Sequence, residues 1–386
     1  MVKAGLEVIE SHSGDALTAL QPEWEALLGQ CGTATLYQTW EWNEAWWRVN
    51  HRLKRLFLLQ IRDHGTLVGI APLYVSRHLG TPLRRLAFIG NGASDYMDVI
   101  ADDERADEVC AAIFQHLSAS RSFDLADLQQ LHENGILRRV GSAACACKVA
   151  GTATRLQEPC PFVELPACWA EFTQRLGKKM RSNLSYYDRL LPKTFEDAEV
   201  RLATPGDLDD ALTALFDLHQ KRWNAVLLPG VLGGPKVQEF HRLVAPRLME
   251  RGWLRLHITK VEGRIVAALY CFRYRNSYLY YLGGFAPELG KYSLGTVLTA
   301  HAIRQAIGEG CAEFDFLRGD EPYKRRWMPE VRTNARMLLP RHGGSVRSHA
   351  MLRLNRLENF VEHKAKAFAA KQQKRKSAAA TAKSEG

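Results

Sequence analysis

The residues best suited to carry chemistry lie between Tyr281 and Trp327. This stretch contains a loop of small residues, a helix-like run that begins in Lys291-Tyr-Ser-Leu-Gly-Thr296, a short apolar strand with Asp315, and a polar turn with Tyr323 and Lys324. A small-residue loop before a helix leaves backbone N–H groups exposed, and these favour phosphate. The order of elements therefore predicts a site that holds a phosphate-bearing cofactor beside ionisable side chains.

The start of this helix is the predicted cofactor-binding segment. Its amides would point at a diphosphate, with a serine near the cap. A Ser-x-Gly sequence is also common where a helix start binds nothing, and spacing alone favours that ordinary capped helix. The residues assigned to cofactor binding are Lys291, Ser293, Leu294, Gly295 and Thr296.

Asp315 is the candidate acid or base. It alternates with Phe314 and Phe316, and burial between these rings would raise the pKa of its carboxyl group and suit it to proton transfer or to orienting an acceptor. A carboxylate on such a strand is as often exposed, or paired with a neighbouring arginine.

Composition bounds the class of protein. The 386 residues suffice for two domains, and 46% apolar with 24% charged residues indicates folded cores. The net charge is +10, but residues 364–386 contain seven Lys or Arg and one Glu, which leaves about +4 for the rest. So weak a surplus argues against DNA as a partner.

The eight cysteines form no Cys-x-x-Cys pair and no metal-ligand spacing, so we expect reduced, mostly buried thiols and no metal site. The N-terminus lacks the apolar core of a signal peptide, and no run approaches 18 apolar residues. These features favour a cytoplasmic protein.

Hydrophobic periodicity predicts alternating helices and hairpins. Period-two runs on either side of Gly65 and of Gly263 predict two hairpins, and Thr39 is the predicted cap of a tryptophan-rich helix. Helical spacing predicts helices over 15–30, 104–120, 207–224 and 237–252, a helix pair or one long helix over 167–190, and a further helix over 347–368.

Two internal similarities occur in the same order. Residues 59–69 align with 257–267, and 122–125 align with 313–316. Both halves then read hairpin, strands, helix, strand, which predicts a duplicated α+β domain, although chance similarity of strand-turn-strand units remains an alternative. The predicted boundaries are 1–158 for a first domain without a cofactor site, 159–343 for a second domain with a helical insertion at 167–195, and 344–386 for a helix and a basic low-complexity tail.

Several of these motifs together resemble the CelD-like acyltransferases of the Gcn5-related N-acetyltransferase superfamily, over about residues 35–335. The first half contributes Trp40-Glu-Trp42 with Trp46-Trp47, Ile70-Ala-Pro72-Leu-Tyr and Ser94-Asp-Tyr96-Met-Asp98. The second half resembles the family more strongly, through Lys178-Lys-Met-Arg181-Ser-Asn183-Leu, Lys291-Tyr-Ser-Leu-Gly-Thr296 and Phe314-Asp315-Phe-Leu-Arg318-Gly-Asp320-Glu-Pro-Tyr323-Lys324-Arg-Arg-Trp327.

The resemblance implies two tandem acetyltransferase-like domains with mixed central sheets flanked by helices. It also implies acetyl-CoA, or another acyl-CoA, as donor and a role in exopolysaccharide or cell-envelope synthesis. The related Fem-type transferases use aminoacyl-tRNA instead. By resemblance, Lys324 stabilises the tetrahedral oxyanion, and Tyr323 donates a proton or packs on the acyl chain. A surface cation is an equal alternative for Lys324.

The predicted acceptor-binding residues come from both the insertion and the sheet. Arg181 and Asn183 would contact an anionic acceptor, although charge runs are usually solvated helix faces. Trp223 could stack on a sugar or close a helix end, and Tyr280 could line an acceptor groove or pack in the core. Arg318 belongs to the resembling motif.

The sequence thus predicts an acyltransferase, most simply an acetyltransferase, that acts on an amine or hydroxyl of a sugar or envelope precursor. One alternative is aminoacyl-tRNA-dependent transfer, and another is a non-catalytic module that binds polysaccharide-synthesis partners. The basic tail is read as a solubilising segment or as a contact with an anionic membrane surface or polyanion.

Overall fold

The computed structural model describes residues 5–141, 153–224, 232–341 and 345–358. The helices of these ranges are α1 (Gly14–Ala19), α2 (Gln21–Gln30), α3 (Trp40–Asn50), α4 (Ala106–Ala119), α5 (Trp169–Arg175), α6 (Lys178–Thr194), α7 (Leu208–Asn224), α8 (Pro235–Glu250), α9 (Leu294–Gly308) and α10 (346–358). The strands are β1 (Glu7–Ser11), β2 (Lys54–Asp63), β3 (Thr66–Arg77), β4 (Arg84–Phe88), β5 (Ile100–Ala101), β6 (Leu125–Leu131), β7 (Ala153–Glu164), β8 (Glu199–Leu202), β9 (Leu254–Val261), β10 (Arg264–Tyr274), β11 (Ser277–Phe285), β12 (Glu313–Asp315) and β13 (Glu330–Pro340).

The two halves repeat one topology. In the described chain, β1-β2-β3-β4 of the first half and β8-β9-β10-β11 of the second are antiparallel series. A helix then follows, α4 in one half and α9 in the other, and it leads to a strand parallel to its predecessor: β6 lies beside β4, and β12 beside β11. This arrangement confirms the predicted α+β fold of two tandem acetyltransferase-like domains.

Two strands, β7 and β13, join the two halves. The sheet order is β1-β2-β3-β4-β6-β13-β7-β12-β11-β10-β9-β8, with β5 beside β3. Strand β7, which follows the first half along the chain, pairs with β12, while β13 returns to pair with β6. Strands β7 and β13 also pair with each other, so the halves share one continuous sheet of 13 strands.

Strands β11 and β12 separate soon after they meet. Their parallel pairing covers only three positions, from Ser277 with Glu313 to Leu279 with Asp315. On its other side β11 pairs with β10 as far as Phe285, and the register shifts near Tyr281 because β11 carries one extra residue there. A bulge of this kind bends a strand. The edge of β11 beyond Leu279 thus opens a gap beside β12.

The second half's sheet is covered on both faces. One face packs against α5, α6 and α9, and the other packs against α7, α8 and the first half. Helix α3 supplies much of that contact, since Trp42 is fully buried, packs edge-on to Phe240 with ring centres 4.9 Å apart, and donates its Nε1–H to Ser94 Oγ at 2.9 Å. The tryptophan cluster is therefore core.

Most predicted elements are present, with local differences. The 167–190 segment is the helix pair α5 and α6. Thr39 does stand at the cap position of α3, but its hydroxyl donates to the Leu36 carbonyl at 2.7 Å and does not cap the helix, because the preceding 3₁₀ turn presents that acceptor. Residues 97–101 form only an isolated bridge at Met97 and the two-residue strand β5.

Six of the cysteines lie within the described ranges and all six are free thiols, five of them buried and Cys168 exposed. No helix in these ranges is both long and apolar enough to cross a membrane. Cys145, Cys147, residues 225–231, the residues of the predicted 347–368 helix beyond 358, and the basic tail lie outside the described residues.

Gly284 of β11 tests the packing of α7 on the sheet. A Cβ atom at this position would lie 2.7 Å from the backbone nitrogen of His219 and 2.9 Å from Leu218 Cβ. Because backbone cannot yield as a flexible side chain can, Gly284→Ala should lower the free energy of unfolding by about 1–3 kcal/mol in urea titrations. Gly29→Ala on α2, where a Cβ meets nothing within 4 Å, is the control and should be neutral or slightly stabilising. Equal effects of the two changes would contradict this packing.

Candidate functional site

A cavity of about 220 Å³ lies on the α9 face of the second half. It is bounded by the start of α9, by β11 where that strand has left β12, by the 3₁₀ turn Lys324–Trp327, and by the first turn of α6. The lining residues are Met180, Tyr280, Phe285, Gly290, Ser293, Leu294, Gly295, Thr296, Thr299, Tyr323, Arg326 and Trp327. We call this space the α9 cavity.

The first turn of α9 faces the cavity with free donors. The amides of Thr296 and Val297 donate to the Ser293 carbonyl at 2.8 and 3.1 Å. Within the described ranges, no acceptor is found for the amides of Leu294 and Gly295. Ser293 itself has a left-handed backbone, with φ 50° and ψ 44°, and its hydroxyl does not cap the helix. Two free amides at the positive end of a 15-residue helix are suited to bind an anion.

Gly295 keeps this turn open. A Cβ atom here would lie 3.3 Å from the Phe285 ring, so a larger side chain would crowd the cavity that both residues line. Four of the five predicted cofactor residues line the cavity. The fifth, Lys291, does not: it is exposed, with its Nζ 4.9 Å above the centre of the Tyr292 ring.

Two predicted tyrosines meet at the opposite wall. Tyr280 of β11 and Tyr323 of the polar turn both line the cavity, with ring centres 6.0 Å apart. The cation on this wall is Arg326, which is exposed and forms no ion pair within the described residues. Arg326 thus faces the same space as the amides of α9.

The start of α6 adds positive charge beside the cavity. Met180 lines the cavity, and its neighbours Lys178, Lys179 and Arg181 lie in the first helical turn, which contains no acidic residue. Cations at a helix N-terminus are electrostatically unfavourable, so a bound anion would relieve this arrangement.

Asp315 does not face the α9 cavity. It lies on the opposite face of β12 from Phe314 and lines a second cavity of about 430 Å³, together with Tyr96, His132, Glu313 and Arg332. The expectation that it lies beside the phosphate loop is therefore wrong. Adjacent residues of a strand point to opposite faces, and Phe314 takes the α9 face.

The Asp315 carboxyl group is fully buried and hydrogen-bonded. Tyr96 Oη donates to Oδ2 and the Leu317 amide donates to Oδ1, both at 2.7 Å, while Arg332 Nη1 lies 3.7 Å away. Burial dominates over these contacts and raises the pKa of Asp315 to about 7. A carboxyl group of this kind exchanges a proton near neutral pH.

Lys324 is a buried structural cation. Its Nζ donates to the carbonyls of Leu317, Arg318 and Gly319 at 3.2, 2.9 and 3.1 Å, and it also lies 2.9 Å from Glu321 Oε2. The side chain is only 3% exposed and does not line the α9 cavity. These contacts indicate that Lys324 stabilises the 317–321 turn. They also engage the protons of its ammonium group, so none is free for an oxyanion.

The remaining predicted acceptor residues are not gathered at the α9 cavity. Arg181 donates to the carbonyls of Gln174 and Leu176, which ties α6 to α5. Arg318 forms an ion pair with Asp95 of the first half, and Asn183 is half-buried on α6. Trp223 lies near the end of α7, and its side chain is outside the described part of the structure.

Sequence reasoning missed Arg326, Met180 and Phe285. The signal for Arg326 is the run Lys324-Arg325-Arg326, in which a single turn buries one cation, pairs the second with Asp320 and leaves the third facing the cavity. No local sequence pattern distinguishes the three basic residues of this run from one another.

Comparison with known proteins agrees with this geometry. Residues 178–325 match the model of the family described as acetyltransferase (GNAT) domain, so the second half contains a domain of GNAT type. That match includes the free amides of α9 and most of the cavity wall, and a domain of this type indicates an acyltransferase. A search of curated proteins finds no match.

Solved structures share the whole fold. The crystal structure of FemX aligns with a TM-score of 0.60 and 10% identity over 86% of this chain and 96% of its own. The C-terminal domain of a putative lysylphosphatidylglycerol synthetase from Agrobacterium fabrum gives 0.54 and 13% over 88% and 95%. L-PGS from Bacillus licheniformis gives 0.53 and 15% over 87% and 96%. At these identities the likeness shows the fold alone.

The buried carboxyl groups predict a pH dependence of stability. The unfolded chain releases the Asp315 proton near 3.8, whereas the folded protein retains it to about 7. The folded state therefore loses stability as the pH rises between these values, by roughly 4 kcal/mol at about 1.36 kcal/mol per pKa unit. Asp315→Asn should remove this loss in urea titrations at a series of pH values.

Asp98 provides a positive control for that measurement, because a similar effect is expected there. It is buried, accepts from the amides of Val99 and Leu137, and has its pKa raised to about 7, mainly by burial. Asp98→Asn should remove a similar share of the pH dependence, and the double variant should remove both. A wild-type slope in Asp315→Asn would show that this carboxyl group ionises normally in the folded state.

Lys324→Met tests the structural assignment of this lysine. Loss of the ammonium leaves three carbonyls and Glu321 without their donor, so the free energy of unfolding should fall by about 2–4 kcal/mol. Arg325→Met, which removes only the exposed ion pair with Asp320, is the control and should unfold like the wild type. If Lys324→Met kept full stability and lost only turnover, the oxyanion role would be favoured instead.

Proposed function

We propose that this protein is an acyltransferase whose donor carries a diphosphate and binds in the α9 cavity, with acetyl-CoA as the simplest donor. The acceptor is an amine or hydroxyl of a sugar, exopolysaccharide or cell-envelope precursor, as in the CelD-like enzymes that the sequence resembles. The observation that supports the proposal is the pair of free amides at Leu294 and Gly295 in a cavity that also contains Arg326.

The shape of the site suits a long donor. The diphosphate would lie on the start of α9, with Arg326 as its counter-charge. An extended arm with amide groups could then follow the edge of β11 beyond Leu279, where no strand of the described ranges pairs on that side. Such an arm would pass Tyr280 and end near Tyr323.

The transfer step needs a proton for the leaving group. Attack of the acceptor on the acyl carbon forms a tetrahedral oxyanion, whose collapse breaks the bond to the donor's sulfur. We propose that the Tyr323 hydroxyl, on the cavity wall, gives its proton to that thiolate. Trp327 and Phe285 give the α9 cavity apolar walls on two sides.

Asp315 is retained as the candidate base on the acceptor side. It pairs with Leu279 at the last position before β11 and β12 separate, so it borders the gap from the opposite face. With a pKa of about 7, its carboxylate can take a proton from an acceptor near neutral pH. The second cavity, which Asp315 lines, is then the side from which the acceptor approaches.

Aminoacyl-tRNA-dependent transfer is the second candidate. The basic first turn of α6 beside the α9 cavity favours it, because a tRNA end would present several phosphates there. A single donor-binding site serves both candidates, so the donor assay separates them.

Calorimetric titration of the full chain with acetyl-CoA tests the first candidate. We expect saturable binding, and Gly295→Leu should weaken it at least about tenfold because the added side chain would occupy the cavity that Gly295 lines. Arg326→Ala should weaken it by about tenfold through loss of a charged hydrogen bond. Gly308→Ala, at the other end of α9 in open space, is the control.

Absence of acetyl-CoA binding in a folded protein would remove the acyl-CoA donor. Saturable binding of aminoacyl-tRNA that is lost in Gly295→Leu would then support the second candidate. Binding of acetyl-CoA that is insensitive to both Gly295→Leu and Arg326→Ala would place the donor elsewhere.

A further inference from the structure

A surface with two exposed leucines and several cations lies at one end of the first half's sheet. It includes the turn before β2 and the turn after β3, which are adjacent because Lys54 pairs with Ser76. Leu53 and Leu79 are at the tips of these turns, 91% and 78% exposed. Both have a left-handed backbone, with φ 65° and 46°, which leucine rarely adopts. Exposed leucines held in strained turns have no stabilising role in the isolated protein.

Several cations lie beside these turns. A shallow cavity of about 420 Å³ between the turns is lined by Lys54, Arg55, Arg77, Arg84 and Arg121, and no carboxylate lines it. Arg55, Arg77 and Arg121 are exposed. Burial of Lys54 lowers the pKa of its ammonium group, and the nearby Lys236 at the start of α8 lowers it further, so Lys236 adds to this positive charge.

The carboxylates of Asp124 and Glu358, which lie near this surface, already have partners within the protein. Asp124 is buried and accepts from the Arg84 amide at 2.8 Å, and it also pairs with Arg347. Glu358 lies 3.3 Å from His78 Nε2. The surface therefore presents positive charge with no opposing free carboxylate among its described residues.

Helix α10 extends the same surface. Arg347 near its start donates to the Pro82 carbonyl, and Glu358 near its end faces His78, so α10 lies alongside the turn after β3. Its outer side presents Val346 and Leu357, 87% and 59% exposed, with the exposed Arg353 and Arg356. Four of the eight exposed large hydrophobic residues of the described chain are thus gathered here.

We propose that this surface docks the protein on a bilayer that contains anionic phospholipids. Leu53 and Leu79 enter the boundary between headgroups and acyl chains, where their apolar area leaves water. Arg55, Arg77 and Arg121 bind headgroup phosphates around them. We call these five residues the docking surface.

The two exposed leucines favour a bilayer, and not a nucleic acid, as the partner. A phosphate backbone would use the cations but gain nothing from two aliphatic side chains, and none of the five residues of the docking surface has an aromatic ring on which a base could stack. The docking surface lies in the first half and involves none of the residues that line the α9 cavity.

Vesicle flotation of the full-length protein tests the proposal. The protein should float with vesicles of phosphatidylcholine mixed with phosphatidylglycerol and remain behind with phosphatidylcholine alone. Leu53→Ser with Leu79→Ser should weaken binding at least about fivefold, and Arg55→Glu with Arg77→Glu at least about tenfold. Both leucines are exposed at turn tips, so the serine variants should fold normally, which circular dichroism checks.

Matched variants outside the surface control for general effects. Leu156→Ser removes another exposed leucine, 69% exposed on β7, and Lys193→Glu with Arg264→Glu reverses two exposed charges in the second half. Both controls should float like the wild type. A single-stranded RNA oligonucleotide, measured in parallel, should not distinguish the leucine variant from the wild type.

Several outcomes would overturn the proposal. One is failure of the wild type to float with anionic vesicles. Another is flotation that the docking-surface variants leave unchanged, which would assign membrane binding to residues elsewhere in the chain. A third is flotation that depends on the arginines and not on the leucines, together with equally tight RNA binding, which would make this a general polyanion surface.

Discussion

The exchange of β7 and β13 between the two halves is the constraint on which the rest of the fold depends. Each half would otherwise end at β6 or β12, a strand open to water on one side. Because β7 closes the second half and β13 closes the first, the halves hold a fixed relation to each other. Side-chain contacts across the junction then become permanent parts of the structure, including Tyr96 with Asp315, Arg318 with Asp95, and Trp42 with Phe240.

The same sheet explains where the candidate site lies. Strand β12 is held by β7 on one side and meets β11 for only three positions on the other, so a gap opens that the α9 cavity occupies on one face and Asp315 borders on the opposite one. In the first half, β4 and β6 also run parallel, but the chain after β4 continues through Tyr96 and rejoins β6 at Met97. That segment fills the equivalent place. The two halves have the same topology, and in the second half the gap is left free for a ligand.

Much of this architecture follows from local sequence patterns. Period-two runs about Gly65 and Gly263 predict the hairpins, and helical spacing predicts α3, α4 and α7, because both signals depend on neighbouring residues. The small-residue turn before α9 is predictable for the same reason. The strand exchange is not, since pairing between β13 and β6 involves residues about two hundred positions apart. Asp315 could have been placed correctly from its alternation with Phe314, whereas the burial of Lys324 depends on three carbonyls presented by a turn whose shape no pattern encodes.

The exchange also has a consequence for synthesis. When β6 leaves the ribosome, its neighbour β13 has not yet been translated, and it will appear only after the entire second half. The first half must wait with an unpaired edge, so its folding cannot be completed until β13 has been translated. Native structure in the first half is thus coupled to the synthesis of β13, and a chain that ended before this strand would leave the edge of β6 unpaired and open to proteases.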